Sequence, residues 1–301
     1  MDFVPYRGRY APSPSGAMHL GHARTALVAW LRARQAAGLL VMRIEDLDPP
    51  RVVKGSAESF LRDHEWLGLD WDEGPVWQSK RSDRYEAAIA ALGDRVFRCT
   101  CSRRDIREAS DAPHGKMLRY PGTCRDKPAG HEGDQPFAVR FRSEHTPSFE
   151  DVIAGHCEGA GDDFVLRRKD GLHAYQLAVV VDDHEMGVTE VVRGDDLLPS
   201  TPLQIELFEA LGWTVPSFLH VPLVRGADGD RLAKRHHAPP VSALRDAGWS
   251  PQRVLAVLAT GLVPDVGEEV SLAELRERFS VDAVSRNPVT LDVDALLGDA
   301  P

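Results

Sequence analysis

The sequence predicts an α/β fold built on a parallel sheet. Three N-terminal stretches predict it: an apolar run over residues 3–10, a helix-periodic run from Leu20 to about Ala37, and an apolar run over residues 39–46. A strand, a helix and a strand in this order are typical of a right-handed parallel βαβ unit. Ligands of such sheets bind beyond the carboxyl ends of the strands, so we expect the functional site at that edge.

Composition indicates a folded chain and restricts its partners. The 301 residues are 43% hydrophobic and 27% charged, which suits one large or two to three modest domains. The net charge of −10 argues against a surface that coats nucleic acid. Arginines nevertheless cluster over residues 98–107, which predicts either a local basic patch or a solvated helix face. No apolar run reaches the length of a membrane span and the N-terminus lacks a secretory pattern, so we expect a cytoplasmic protein with no membrane partner.

The loop after the first predicted strand carries a functional motif, Pro-Ser-Pro-Ser-Gly over residues 12–16 followed by His19-Leu20-Gly21-His22. Its prolines and glycine predict a tight loop before the helix. His19 and His22 share a helix face, and the free N–H groups of a first turn favour an anion. Gly21 leaves space for a flat ligand. These residues predict a site for a phosphate and a ring; the alternative is a helix that happens to begin with two histidines.

The second predicted strand ends in an acidic cluster of Glu45, Asp46 and Asp48. Acids at the carboxyl edge of a sheet can hold an ammonium group or a metal ion. The alternative is a group of caps and turns before the next predicted helix, Ala57 to Leu67. We favour this alternative for Asp46 and Asp48 and keep Glu45 as a candidate ligand.

Cysteines form a second informative cluster. Cys99 and Cys101 are two residues apart, and Cys124 follows in a turn rich in glycine and proline. Three thiolates in this pattern can hold one zinc ion; the alternative is a set of buried free cysteines. The residues themselves leave the fourth ligand open among three candidates: His114, Tyr120 and His131.

The rest of the chain alternates between predicted helices and strands. Helices are predicted over residues 82–92, 202–211 and 250–258, and strands over 137–141, 187–192 and 218–224. Residues 163–169 and 173–181 flank an Asp-Gly turn and predict a β-hairpin. A basic loop with a glycine over residues 227–236 can fold a lysine over phosphates.

Taken together, these motifs resemble the class I aminoacyl-tRNA synthetases. Residues 12–22 resemble the first signature of that class, and Arg9-Tyr10-Ala11 before them resembles its glutamate and glutamine branch. Residues 43–48 and 192–197 also match the glutamyl branch. With the second signature, described next, they make five motifs in order over residues 7–236, which are far more specific than any one of them.

The second signature of the class is matched by Arg231-Leu232-Ala233-Lys234-Arg235, with Lys234 as its central lysine. Ala233 stands where the family usually has a serine or threonine. About a quarter of the chain follows this motif, too little for the anticodon-binding region of a full glutamyl enzyme. The chain therefore resembles the short branch that attaches glutamate to the queuosine base of tRNA(Asp).

The resemblance implies a division of the chain into three parts. Residues 1–95 and 186–240 would form a split Rossmann-type catalytic domain, and residues 96–185 an inserted acceptor-type subdomain bearing zinc. Residues 241–301 would be a helical stem-contact remnant without an anticodon-binding domain. The implied substrates are ATP, with Mg²⁺, L-glutamate and tRNA(Asp) carrying queuosine, and we expect a monomer.

The resemblance also implies roles for individual residues. Its catalytic residues correspond to His19, His22 and Lys234. Its ATP site corresponds to Pro12, His19, Gly21, His22 and Lys234. Its glutamate site corresponds to Arg9, Tyr10, Ala11, Pro12, Ser13, Glu45, Tyr175 and Arg193. Its zinc ligands correspond to Cys99, Cys101, Tyr120 and Cys124.

Within the glutamate site, Arg9 and Arg193 would meet carboxylates, and Glu45 and Tyr175 the ammonium group. Three other functions stay open. The chain could be a shortened glutamyl-tRNA synthetase that charges tRNA(Glu). It could be a non-catalytic nucleotide-binding paralogue, or a nucleotidyltransferase of the same superfamily that acts on a small cofactor.

Overall fold

The chain begins with two parallel strands joined by a helix. In the computed structural model, which describes residues 4–108, 119–128, 130–226 and 239–291, strands β1 (Arg7–Tyr10) and β2 (Leu39–Ile44) pair in parallel. Helix α1 (Leu20–Gln35) connects them, and β3 (Glu73–Trp77) adds in parallel to β2. The predicted order of strand, helix and parallel strand is confirmed.

A second sheet lies beside β1. It has the order β7-β6-β10-β9, and β10 (Ser217–Val221) is parallel to both β9 (Glu190–Gly194) and β6 (Phe149–Asp151). Strand β7 (Gly155–Cys157) closes it in the antiparallel sense. The backbone N–H of Thr189, just before β9, donates to the carbonyl of Arg7 at 2.8 Å. The ends of β1, β2, β9 and β10 therefore contribute to one edge.

A third, antiparallel sheet has the order β4-β5-β8, formed by Val96–Cys99, Ala138–Phe141 and Val165–Arg167. The hairpin predicted from residues 163–169 and 173–181 is wrong. Only a bridge between Arg167 and His173 forms, after which the chain enters helix α5 (Tyr175–Glu185). Residues 177–181 are all buried. An apolar run buried on every side has no periodicity that distinguishes a strand from a helix.

The other predicted helices are confirmed within a residue or two, as α2 (Ser56–Leu67), α3 (Ser82–Ala91), α6 (Thr201–Ala210) and α8 (Pro251–Ala259). The structure adds three short helices, α4 (Arg103–Glu108), α7 (Val241–Asp246) and α9 (Leu272–Arg278). The strand predicted over residues 218–224 is interrupted at Pro222, and a short strand β11 (Val224–Arg225) pairs with β12 (Val289–Thr290). No helix within the described ranges has the length and apolarity to cross a bilayer.

The C-terminal helices pack against α1, which starts at the predicted ligand loop. Arg24 of α1 is 3% exposed and donates to the carbonyls of Leu258 and Thr260, both at 2.6 Å. These carbonyls lie at the end of α8, where the helix dipole favours a cation. Burial lowers the pKa of Arg24 to about 10, so the guanidinium stays charged at neutral pH. This contact joins α8 to the start of the helix that follows the signature loop.

Candidate active site

A cleft of about 500 Å³ opens at the carboxyl ends of β1, β2, β9 and β10. Its walls include all the residues predicted for glutamate: Arg9, Tyr10, Ala11, Pro12, Ser13, Glu45, Tyr175 and Arg193. They also include the residues predicted for ATP at the start of α1: Pro12, His19, Gly21 and His22. Lys234 and the rest of the second signature lie outside the described residues. The cleft lies where a parallel sheet is expected to bind its ligand.

The two signature histidines form a stacked pair at the helix start. His19 is the N-cap of α1, and its side chain accepts from the backbone N–H of His22 at 3.4 Å. The ring centroids are 3.8 Å apart and the planes are inclined by 26°. A Cβ at position 21 would come within 3.2 Å of the His19 ring, so glycine permits this close approach. The first turn of α1 contains no acidic residue, which leaves its positive end suited to a phosphate.

Backbone hydrogen bonds hold the loop after β1 against the end of β2. The N–H of Glu45 donates to the carbonyl of Pro12 at 3.0 Å, and the N–H of Val53 donates to Pro14 at 2.9 Å. The hydroxyl of Tyr10 donates to the carbonyl of His22 at 3.2 Å. These bonds fix Glu45 relative to the signature loop, so the two predicted parts of the site form one unit.

The acids on one side of the cleft contact a fully buried arginine, Arg43. Arg43 donates to Asp183 at 2.6 Å and to Glu45 at 3.1 Å. Burial raises the pKa of Glu45, although the charge of Arg43 opposes this shift. Arg9 lies 3.4 Å from the same Asp183 and donates to the carbonyl of Val192 at 2.7 Å.

Sequence reasoning assigned no role to Arg43 or Asp183. A charged residue inside the apolar stretch Leu39–Ile44 was the available signal, because a buried charge needs a partner.

Arg193 lies on the opposite side of the cleft, and none of its hydrogen-bond acceptors described here is a carboxylate. Its Nε donates to His220 Nε2 at 3.1 Å, its Nη1 to Gln204 at 2.7 Å and its Nη2 to Thr201 at 2.8 Å. Burial lowers the pKa of His220, which favours its neutral form, and Gln204 and Thr201 carry no charge. The guanidinium of Arg193 is 4% exposed, and burial lowers its pKa as well. A buried cation surrounded by neutral acceptors favours an anionic ligand.

Three cysteines meet beside the third sheet, where Cys99 ends β4. The Sγ atoms of Cys99, Cys101 and Cys124 lie within 4.8 Å of one another. Zinc–sulfur bonds of ~2.3 Å place tetrahedral sulfur ligands roughly 3.8 Å apart, so this spacing fits a metal ion. The hydroxyl of Tyr120 is 3.4 Å from Cys99 Sγ and accepts from the N–H of Cys124 at 2.7 Å.

Burial would raise the pKa of Cys124, but hydrogen bonds from Thr100, Tyr120 and His131 lower it and favour a thiolate. His131 therefore adjoins the cluster, while His114 lies outside the described residues. Cys157 is in β7, on another sheet.

The other acids and the arginine cluster have structural contacts. Asp46 accepts from the N–H of Ser79 at 2.8 Å, and Asp48 pairs with Arg168 at 3.0 Å, so both have contacts within the protein. Neither of them caps helix α2, which begins after Gly55 without a side-chain cap, so the predicted capping role is wrong. Arg98 pairs with Glu132 and stacks over the Phe137 ring at 4.5 Å. The side chains at 103 and 104 are exposed on α4. Both interpretations of the arginine cluster stay open.

The fold and the cleft define an α/β protein that binds its ligands at the ends of parallel strands, with a helix N-terminus suited to phosphate. The family described as tRNA synthetases class I (E and Q), catalytic domain, matches residues 6–297. A glutamate tRNA ligase from Elizabethkingia meningosepticum, crystallised with its amino acid, superposes with a TM-score of 0.85 at 28% identity. That match covers 97% of this chain and 68% of the other.

Sequence relatives are closer and match over most of their length. The glutamyl-Q tRNA(Asp) synthetase of Symbiobacterium thermophilum is 46% identical, over 96% of this chain and 97% of its own. The protein of that name from Nocardia farcinica is 51% identical, over 96% and 94%. A glutamate–tRNA ligase of Geobacter sulfurreducens is 42% identical, over 97% of this chain and 64% of its own. The chain belongs to the class I tRNA synthetases of the E and Q type and, among them, to the glutamyl-Q tRNA(Asp) synthetase family.

Proposed function

We propose that this protein activates L-glutamate with ATP, without needing tRNA, and transfers the glutamyl group to the queuosine base at the wobble position of tRNA(Asp). The observation that carries the proposal is the cleft itself. It joins a helix start suited to phosphate with one acidic and one cationic side. Near full-length relatives named glutamyl-Q tRNA(Asp) synthetase support the choice of acceptor.

In the first step, an α-carboxylate oxygen of glutamate attacks the α-phosphorus of ATP. A new bond forms between these atoms, the bond to the bridging oxygen breaks, and pyrophosphate leaves. This chemistry depends on positioning and on charge stabilisation. We assign the phosphates to the stacked His19 and His22 and to the N–H groups of α1. Mg²⁺ would enter with ATP and neutralise phosphate charge, and Lys234 would contact the leaving pyrophosphate.

The glutamate pocket would hold both ends of its substrate by charge. Arg9 and Arg193 would bind the carboxylates, since a planar guanidinium can donate two parallel hydrogen bonds. Glu45 and Tyr175 would accept the ammonium group. Arg43 supports this role because it is buried beneath Glu45 and favours its ionised form. Burial raises the pKa of Tyr175, which keeps its hydroxyl protonated and neutral.

The domain division stays a proposal: residues 1–95 and 186–240 as a Rossmann-type catalytic domain, 96–185 as an insertion and 241–301 as a helical region. The antiparallel sheet and the cysteine cluster within residues 96–185 support it. Strands β6 and β7 and helix α5 also fall in that range, yet β6 pairs with β10 and α5 carries Tyr175 into the cleft. The insertion would therefore contribute directly to the site.

Zinc would be held by Cys99, Cys101, Cys124 and Tyr120, and would stabilise the insertion. The spacing of the thiols and the position of the Tyr120 hydroxyl support this ligand set. We place the RNA-binding surface on this insertion and on residues 98–107, where exposed arginines can contact phosphates. A single-stranded loop with an exposed base is the usual target of such a surface.

Two assays test the proposal in sequence. Glutamate-dependent exchange of pyrophosphate into ATP, without tRNA, reports the first step; its absence would favour a non-catalytic paralogue. Labelled glutamate is then offered with tRNA(Asp) that contains or lacks queuosine, and with tRNA(Glu). We expect transfer only to the queuosine-containing tRNA, and transfer that survives removal of its 3′-terminal adenosine. Transfer to the 3′ end of tRNA(Glu) would instead identify a glutamyl-tRNA synthetase and overturn the acceptor assignment.

A further inference from the structure

Three buried side chains form a row across neighbouring strands behind the cleft. Asp151 ends β6, His220 is on β10 and Arg193 is on β9. The strand register places His220 directly beside Arg193, and Asp151 beside Phe218. His220 Nδ1 is 2.6 Å from a carboxylate oxygen of Asp151, and its Nε2 is 3.1 Å from Arg193 Nε. Of the three, only Arg193 lines the cleft.

The contacts of Asp151 determine the proton positions on His220. The carboxylate accepts the backbone N–H groups of Ile153, Ala154 and His220 as well as Nδ1. Burial would raise the pKa of Asp151, but these hydrogen bonds lower it, so the group stays ionised. An ionised carboxylate can only accept, so the proton of the neutral imidazole is on Nδ1. Nε2 is then an acceptor and can take the N–H of Arg193.

We propose that Asp151 and His220 are positioning residues for Arg193. Asp151 fixes the tautomer of His220, and His220 in turn directs the guanidinium of Arg193 into the glutamate pocket. This rests on the proposed function, in which Arg193 binds a substrate carboxylate. Gln204 and Thr201 hold the other nitrogens of the guanidinium, at 2.7 and 2.8 Å. With His220 on Nε, the three nitrogens of Arg193 each have a fixed protein partner. Preorganised side chains of this kind avoid an ordering cost when the ligand binds.

Protonation of His220 would disrupt this arrangement. A second cation would then lie 3.1 Å from Arg193, and Nε2 could no longer accept. Three charged groups act on His220: Asp151 favours its protonation, while Arg193 and Arg9 oppose it. The proposal therefore expects the KM for glutamate to rise at acid pH, with the KM for ATP unchanged over the same range.

Three substitutions separate positioning from general structural damage. His220→Asn keeps a donor near the position of Nδ1 for Asp151 but removes the acceptor for Arg193. His220→Gln can place an acceptor near the position of Nε2. Asp151→Asn offers an amide N–H where Nδ1–H was accepted, which favours the other tautomer. His156→Asn is the matched control, because that histidine is exposed on β7 of the same sheet.

We expect His220→Asn to raise the KM for glutamate at least tenfold in pyrophosphate exchange, while the KM for ATP changes less than twofold. His220→Gln should recover most of this loss, and His156→Asn should match the wild type. Equal rises in both KM values, or a folded His220→Asn with the wild-type glutamate KM, would overturn the proposal.

Nitrogen-15 NMR of the wild-type protein tests the tautomer independently, with the His220 signal assigned by its loss in His220→Asn. We expect Nδ1 to carry the proton, and an Nε2-protonated ring would overturn the proposal. This measurement needs no catalysis and does not depend on the folding of a variant. Absence of glutamate-dependent exchange in the wild type would refute the proposed function, whereas the NMR result concerns the row of side chains alone.

Discussion

Arg193 gives the sharpest test of the glutamate pocket, through its replacement by methionine. The substitution removes the cation but keeps much of its apolar length. Truncating one partner of a buried charge pair costs about 2–5 kcal/mol of binding. At about 1.4 kcal/mol per factor of ten, kcat/KM for glutamate should fall roughly 30- to 5,000-fold. The position of Arg193, 4% exposed and lining the cleft, favours the upper part of this range.

The structure also predicts how far the fold tolerates this change. The substitution removes one donor each from His220, Gln204 and Thr201, and hydrogen bonds that involve a charged group contribute about 1.5–3 kcal/mol each. Removing a buried cation also removes its desolvation cost, which offsets much of this loss. We therefore expect Arg193→Met to stay folded and to lose roughly 3 kcal/mol of unfolding free energy.

The assay is tRNA-independent pyrophosphate exchange, measured as a function of glutamate and of ATP. Arg193→Lys should be intermediate, because one ammonium keeps the charge but cannot reproduce the fork of a guanidinium. Arg84→Met is the matched control, since the side chain of Arg84 is 63% exposed on α3. A folded Arg193→Met with unchanged kcat/KM for glutamate would refute the assignment of Arg193 to the substrate.

Three further predictions concern the metal site, the core and the acidic side of the cleft. Cys101→Ser should abolish the one zinc per chain measured by elemental analysis, whereas Cys157→Ser should retain it; equal zinc in both would contradict the ligand set. Burial lowers the pKa of His64 to about 4, so the unfolded state binds more protons between this value and ~6.5, and stability is lost as pH falls through that window. Urea unfolding should show a loss of roughly 3 kcal/mol over this range that is absent in His64→Asn, and identical pH profiles would contradict it. Arg43→Met leaves Glu45 near Asp183 without their shared cation, so unfolding free energy should fall by about 3–5 kcal/mol and the acid limb of glutamate activation should move to higher pH; an unmoved limb would show that Arg43 does not set the ionisation of Glu45.

The sequence predicted the features that depend on local pattern. Loop residues, helix starts and apolar periodicity were enough to place α1, β2 and the cleft at the strand ends. The hairpin predicted over residues 163–181 was wrong because residues 177–181 are all buried, so the sequence of α5 lacks the polar face that would identify a helix. Only the resemblance to the synthetase family identified Tyr175 and Arg193 as candidate site residues, because no local sequence pattern distinguishes them.

The missed residues depend on pairings across long stretches of chain. Arg43 meets Asp183 140 residues later, and Asp151 meets His220 69 residues later. Each pairing needs the strand order and the register, which one sequence without relatives does not contain. A charged residue in a buried strand indicates that a partner exists but does not identify it.

Arg43 contacts Glu45 of the cleft wall, and Arg193 lines the cleft itself. Both are buried, but their partners differ. Arg43 is hydrogen-bonded to the carboxylates of Asp183 and Glu45, which compensate its charge within the protein. Its charge in turn stabilises the ionised form of Glu45 at the cleft wall. Arg193 is bound to three neutral groups, so its charge is left for a ligand. An amino acid has this same separation of charge, with an ammonium group at one position and carboxylates at others. The different partners of Arg43 and Arg193 therefore make one side of the cleft acidic and the other cationic.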